Sequence, residues 1–147
     1  MKLLAATAFF LSAAVSPASA DMIRIQSAFG VDETIDRLEA AVEKAGAKVF
    51  ARIDHAAGAE SVGMELAAAT ALIFGNPKLG TPALQAGASI GLDLPLRVLA
   101  YQDGDEVWVV YHDPKDVAEM HGIPQDLPVF AAMTGALAKL TGAATTQ

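Results

Sequence analysis

The sequence predicts an α+β fold, a mostly antiparallel sheet with helices on one face. Three observations carry this expectation. Several short segments alternate apolar and polar residues at strand period, the first being Met22 to Ala28, with Ile23 and Ile25 set against Arg24 and Gln26. An Asp103-Gly104 turn signal joins two strand patterns into a hairpin. Two longer segments, one after Gly30 and one after Pro128, repeat apolar residues at helical spacing.

The elements follow in order. Gly30 ends the first strand pattern. Val31, Ile35, Leu38, Val42 and Ala45 then form one helical face, with Asp32, Glu33, Asp36, Arg37, Glu39, Glu43 and Lys44 on the other, and Gly46 stops the helix. Lys48 to Asp54 reads as a strand with Val49, Ala51 and Ile53 on one face. Ala56 to Gly63 is a short helix or turn. Thr70 to Phe74 is a buried strand closed by Gly75-Asn76-Pro77. Thr81 is expected to cap a short helix that Pro82 opens, because proline at the first helical position gives up no needed N–H. Leu94 to Tyr101 and Glu106 to Tyr111 are the hairpin strands. Asp113-Pro114 starts a helical turn ending near Gly122. Asp126 and Pro128 open a last helix with Val129, Phe130, Met133, Leu137 and Leu140 inward, and the tail from Gly142 is expected to fray.

At 147 residues the chain has a one-domain length. Its composition, 53% hydrophobic and 18% charged, is that of a folded chain rather than a disordered one. Ten basic residues against 17 acidic ones give a net charge of -7, so the phosphate attraction behind nucleic-acid binding is missing. The absence of cysteine excludes disulfides, zinc–thiolate sites, iron–sulfur clusters and a thiol nucleophile. Residues 1–20 read as a signal peptide. Lys2 is the charged region, Leu3 to Val15 the apolar region, and Ala18-Ser19-Ala20 the cleavage signal. The expectation is an exported protein, periplasmic or secreted, with residues 21–147 as a single domain and no membrane span in the mature chain.

Four constellations carry chemistry. In Phe74-Gly75-Asn76-Pro77-Lys78-Leu79-Gly80-Thr81-Pro82 a loop with two glycines and a lysine leaves a strand and enters a helix. Free N–H groups at a helix start attract anions, so Gly75, Asn76, Lys78, Gly80 and Thr81 are candidate ligand-binding residues. A nucleotide-hydrolysing loop would need lysine where Thr81 stands. Asp54-His55, His112-Asp113 and His121 form a second set. Asp54, His55 and His121 are candidate acid–base residues, and His55, His112 and His121 are candidate metal ligands without metal-ligand spacing. Gly87-Ala88-Ser89-Ile90-Gly91 matches the G-x-S-x-G pattern of hydrolases, but a serine at a helix end followed by a strand is the wrong context. Asp103, Asp105 and Glu106 make an acidic hairpin tip without calcium-loop spacing.

One ordered series of motifs spans Phe50 to Gly122. It runs Phe50-Ala51-Arg52-Ile53-Asp54-His55, Phe74 through Pro82, Leu92-Asp93-Leu94-Pro95-Leu96-Arg97, Tyr111-His112-Asp113-Pro114 and His121-Gly122. The series resembles the domain-of-unknown-function family 302. The resemblance implies a TATA-binding-protein-like β-α-β4-α arrangement and self-association as a homodimer, and it implies no activity. Members of that family often carry arginine before the last histidine, where this chain has Met120.

Three functional expectations follow. The first is a non-enzymatic module that binds a small ligand, an anion at the Gly75–Thr81 loop being the candidate. The second is an acid–base or metal-dependent enzyme using Asp54, His55 and His121, which requires His55 and His121 to lie within about 10 Å of each other, since such partners act at about 3 Å directly or through water. The third is a structural, self-associating protein. The identity of any cofactor is left open by these motifs.

Overall fold

The computed structural model describes residues 22–147; the predicted leader and its cleavage site lie outside the described residues. The elements are β1 (Met22–Ser27), α1 (Val31–Lys44), β2 (Lys48–Asp54), α2 (His55–Glu60), β3 (Ala69–Gly75), α3 (Pro77–Ala86), a 3-10 helix (Ala88–Leu92), β4 (Leu96–Asp103), β5 (Glu106–His112), α4 (Pro114–Met120) and α5 (Pro128–Thr145). The five strands form one antiparallel sheet in the order β1-β5-β4-β3-β2. With the short helices set aside, this is the expected α+β order of one strand, one helix, four strands and one helix.

Apolar spacing explains the main core. Val31, Ile35, Leu38 and Val42 line the buried stripe of α1, and Leu137, Leu140 and Ala144 that of α5. Both stripes pack on Leu72, Phe74, Val98, Ala100, Val109 and Tyr111 of the sheet. Full burial of one such side chain contributes about 1.5–3 kcal/mol, so these two helices fix the sheet face. A second cluster of Ala83, Ile90, Val117, Ala118, Ile123, Phe130 and Met133 joins α3, α4 and the 3-10 helix to the start of α5. Thr34, fully buried, satisfies its hydroxyl on the Gly30 carbonyl at 2.8 Å and on Ser27 Oγ at 2.7 Å. Gly46 ends α1 with φ +74°, a conformation that glycine adopts without steric cost.

The structure departs from the sequence reading in four places. β2 carries a bulge: Val49 pairs with Phe74 and Ala51 with Ile73, which leaves Phe50 without a partner across the strand. The extra residue reverses the alternation. Arg52, not Ala51 or Ile53, therefore turns to the helix side. There it meets Asp36 of α1 at 2.5 Å, with Asp32 and Glu39 at 3.6 Å. The hydrogen bond to Asp36 holds the Arg52 pKa above its ordinary value, aided by the charges of Asp36, Glu39 and Asp32 against the opposing effect of burial.

The other three departures concern ends. α3 begins at Pro77, capped by Asn76, so Thr81 and Pro82 lie inside it. The hairpin turns at Gly104 and Asp105, with Asp103 opposite Glu106 and Gly104 at φ +61°, the Gly-first form of a two-residue turn. The C-terminal segment does not fray. Ala144 and Thr145 are buried, Arg37 donates to the Thr146 carbonyl at 2.8 Å, and the Ala28 N–H donates to the Thr145 carbonyl at 2.9 Å.

Candidate functional site

A chain of polar side chains closes over the 3-10 helix. α4 stops at Met120, and Gly122, at φ +68°, turns the backbone away. His121 is left at the helix end, its side chain only 11% exposed. Its Nε2 lies 2.7 Å from Asp93 Oδ2, and its Nδ1 lies 3.0 Å from Ser89 Oγ. The other oxygen of Asp93 accepts from Arg97 at 3.0 Å. An ionised carboxylate only accepts, so Nε2 carries a proton; in the neutral imidazole Nδ1 then accepts from the Ser89 hydroxyl. In the imidazolium both nitrogens donate.

Glycines flank Ser89 on both sides, at 87 and 91. A Cβ on Gly87 would sit 2.7 Å from Ile123 Cδ1, and a Cβ on Gly91 3.2 Å from Leu84 Cδ2. A larger residue at position 87 would therefore require the Ile123 side chain, two residues beyond His121, or the backbone at 87 to shift. Packing thus favours a small residue at both glycine positions of the G-x-S-x-G pattern, more strongly at Gly87 than at Gly91. As the sequence indicated, the serine does not stand on a strand-to-helix turn.

Beside this chain lies a groove of about 300 Å³. Phe50, Pro77, Leu79, Leu84, Leu94, Pro95, Leu96 and Met133 make its walls apolar, and Gly75, Asn76, Gly80 and Thr81 complete its lining. The β2 bulge frees Phe50 to stand at its edge, 51% exposed. A smaller cavity of about 40 Å³ shares Leu94, Leu96 and Met133 with the groove and adds Asp93, Arg97 and His112. The apolar groove therefore has polar groups next to it.

The sequence-predicted residues fall into three sets. Gly75, Asn76, Gly80 and Thr81 line the groove, but Lys78 lies elsewhere, beside Pro82, Leu127 and Pro128. The first turn of α3 has its N–H groups engaged within the chain. Pro77 has none, Lys78 N–H donates to Asn76 Oδ1 at 3.0 Å, and Leu79 and Gly80 N–H both donate to the Asn76 carbonyl at 2.9 Å. Both His112 and His121 come near the Asp93–Arg97 pair: His112 lines the small cavity with the two residues, and His121 bonds the carboxylate.

Asp54 and His55 are at the far end of the sheet. Asp54 pairs with Thr70, whereas Leu96, next to Arg97, pairs with Phe74. Four residues of β3 separate these levels by about 13 Å. The structure therefore does not bring His55 to His121. Asp54 instead caps α2 by accepting from the Ala57 N–H at 2.9 Å. Asp113 caps α4 through the Lys115 N–H and accepts from Thr134 Oγ1 at 2.8 Å. Among the described residues no three histidine, aspartate or glutamate side chains gather as a metal-binding group. Sequence reading missed the contacts of Ser89 and Asp93 with His121; the G-x-S-x-G match pointed to Ser89 and the Leu92–Arg97 motif to Asp93, but only the fold joins them to His121.

Residues 23–140 match the family described as Domain of unknown function DUF302. The chain belongs to the DUF302 family. A solved DUF302 protein from Bacillus stearothermophilus has the same fold, with a TM-score of 0.76 at 20% identity over 84% of this chain and 97% of that one. Over 117 residues, 78% of its length, this DUF302 chain is also 41% identical to two proteins named Fluoride-specific ion channel FluC 1. These come from Brucella suis biovar 1 (strain 1330) and Brucella abortus biovar 1 (strain 9-941). It spans 46% and 43% of their lengths. Among the described residues of the DUF302 domain no helix is long and apolar enough to cross a membrane.

Proposed function

We propose that this DUF302 domain is a binding module for a small amphipathic molecule, its apolar body in the groove and its anionic end toward Arg97 and His112. One observation carries the reading: the roughly 300 Å³ groove is walled by apolar side chains and adjoins a cavity lined by Arg97, His112 and Asp93. Largely apolar concavities with a few convergent polar groups are the usual form of small-molecule sites. The helix start of α3 is not the anion's seat in this reading, because Asn76 and the turn itself occupy its N–H groups. The leader-like residues 1–20 support action outside the cytoplasm. In the longer Brucella relatives the corresponding segment is, on this proposal, a ligand-binding part joined to a channel part.

The probe is octanoate, followed by isothermal titration and native mass spectrometry. Saturable one-to-one binding is expected, weakened at least about tenfold by Leu84→Glu, which places a like charge in the groove wall. Absence of a bound mass, or equal binding by wild type and Leu84→Glu, would overturn the reading.

A further inference from the structure

We infer that Ser89 is an activated nucleophile and that Ser89, His121 and Asp93 form a site for acyl transfer from carboxylic esters. The inference rests on hydrogen-bond geometry and not on occupancy of the groove. A serine hydroxyl is a weak nucleophile until a base stands within hydrogen-bond reach, and that base needs a third group to fix its tautomer. All three are in place. Ser89 is exposed, His121 Nδ1 is 3.0 Å from its Oγ, and Asp93 holds the opposite ring nitrogen at 2.7 Å. Arg97 fixes the carboxylate in turn, at 3.0 Å on its other oxygen.

The step balances without a cofactor. Ser89 Oγ attacks the ester carbonyl carbon while its proton passes to His121 Nδ1. The tetrahedral adduct collapses, the carbon–alkoxy bond breaks, and the alkoxide leaves as alcohol with the proton from Nδ1. Water, deprotonated by the same nitrogen, then cleaves the Oγ–acyl bond, releasing the carboxylic acid and restoring Ser89. Asp93 is a positioning residue throughout; it holds the ring and stabilises its cationic form.

The test uses diisopropyl fluorophosphate, which is small enough to need no groove. Attack by Ser89 forms an Oγ–P bond, breaks the P–F bond, releases fluoride and sends the proton to His121. Intact-mass and peptide analysis of the wild-type protein is expected to show one adduct, on Ser89, that is absent in Ser89→Ala. His121→Gln is expected to slow labelling about 10²–10⁴-fold, the usual contribution of a positioned base. Asp93→Asn is expected to slow it by a smaller factor. No adduct on Ser89, or an unchanged rate in folded His121→Gln, would overturn the inference. The wild type alone gives a second reading. Labelling must be lost when the protein is unfolded in urea, and equal labelling of folded and unfolded chains would also overturn it. The two readings fail separately: labelling of Ser89 without octanoate binding overturns only the groove reading, and octanoate binding without labelling overturns only this one.

Discussion

Asp54 with His55 at one end of the sheet, and Asp93 with His121 at the other, are the same chemical pair put to different uses. The first two are consecutive in sequence, yet Asp54 spends its carboxylate on the Ala57 N–H and His55 is exposed. The second two are 28 positions apart and lie 2.7 Å from each other. Consecutive residues leave an extended backbone in opposite directions, so adjacency in sequence works against contact. Here β4, the 3-10 helix and the end of α4 converge, and the fold assembles the contact from separate segments. A histidine–aspartate pair is thus better sought between elements than within one.

Four measurements break or sharpen this contrast. Asp93→Ala removes the shared acceptor of His121 and Arg97. It is expected to cost about 1–3 kcal/mol in urea unfolding, the usual penalty for a part-buried polar group left without its partner. Asp54→Ala at the other end loses only a helix cap and should cost about 1 kcal/mol. A double-mutant cycle on Asp93→Asn and His121→Gln should give a coupling of at least about 0.5 kcal/mol, whereas a cycle on Asp54→Asn and His55→Gln should give none. His55→Ala, finally, should stay within about 0.5 kcal/mol of wild type, as exposed substitutions do. Equal couplings at the two ends would abolish the distinction.

Much of the fold was legible because local periodicity reports local structure. β2 was read at its exact limits, and α1 was one residue off at its C-terminal end, because alternation and the 3.6-residue repeat are strong there. The facing of β2 was not legible. A bulge is set by pairing with β3, and nothing within Lys48 to Asp54 announces the extra residue at Phe50. The start of α3 was misplaced because Asn76-Pro77 reads as a strand terminator, although asparagine as cap followed by proline at the first position opens a helix equally well. The C-terminal turn was misjudged for another reason. Its order comes from Arg37 and Ala28, far away in sequence. The groove was half-read. The Gly75–Thr81 motif marked its rim, but the apolar wall from Leu94, Leu96 and Met133 belongs to other segments. His121 was singled out as titratable, while its partners required the tertiary fold.

The place of β1 in the sheet has a consequence in time. Met22 lies opposite His112 and Ser27 opposite Val107, so the first strand made pairs with the last strand made. During synthesis β1 has no neighbour in the sheet until β5, which ends at His112, has emerged. Closing so long a loop before its contacts reward it slows folding. The β1 edge of the sheet is therefore the last to be closed.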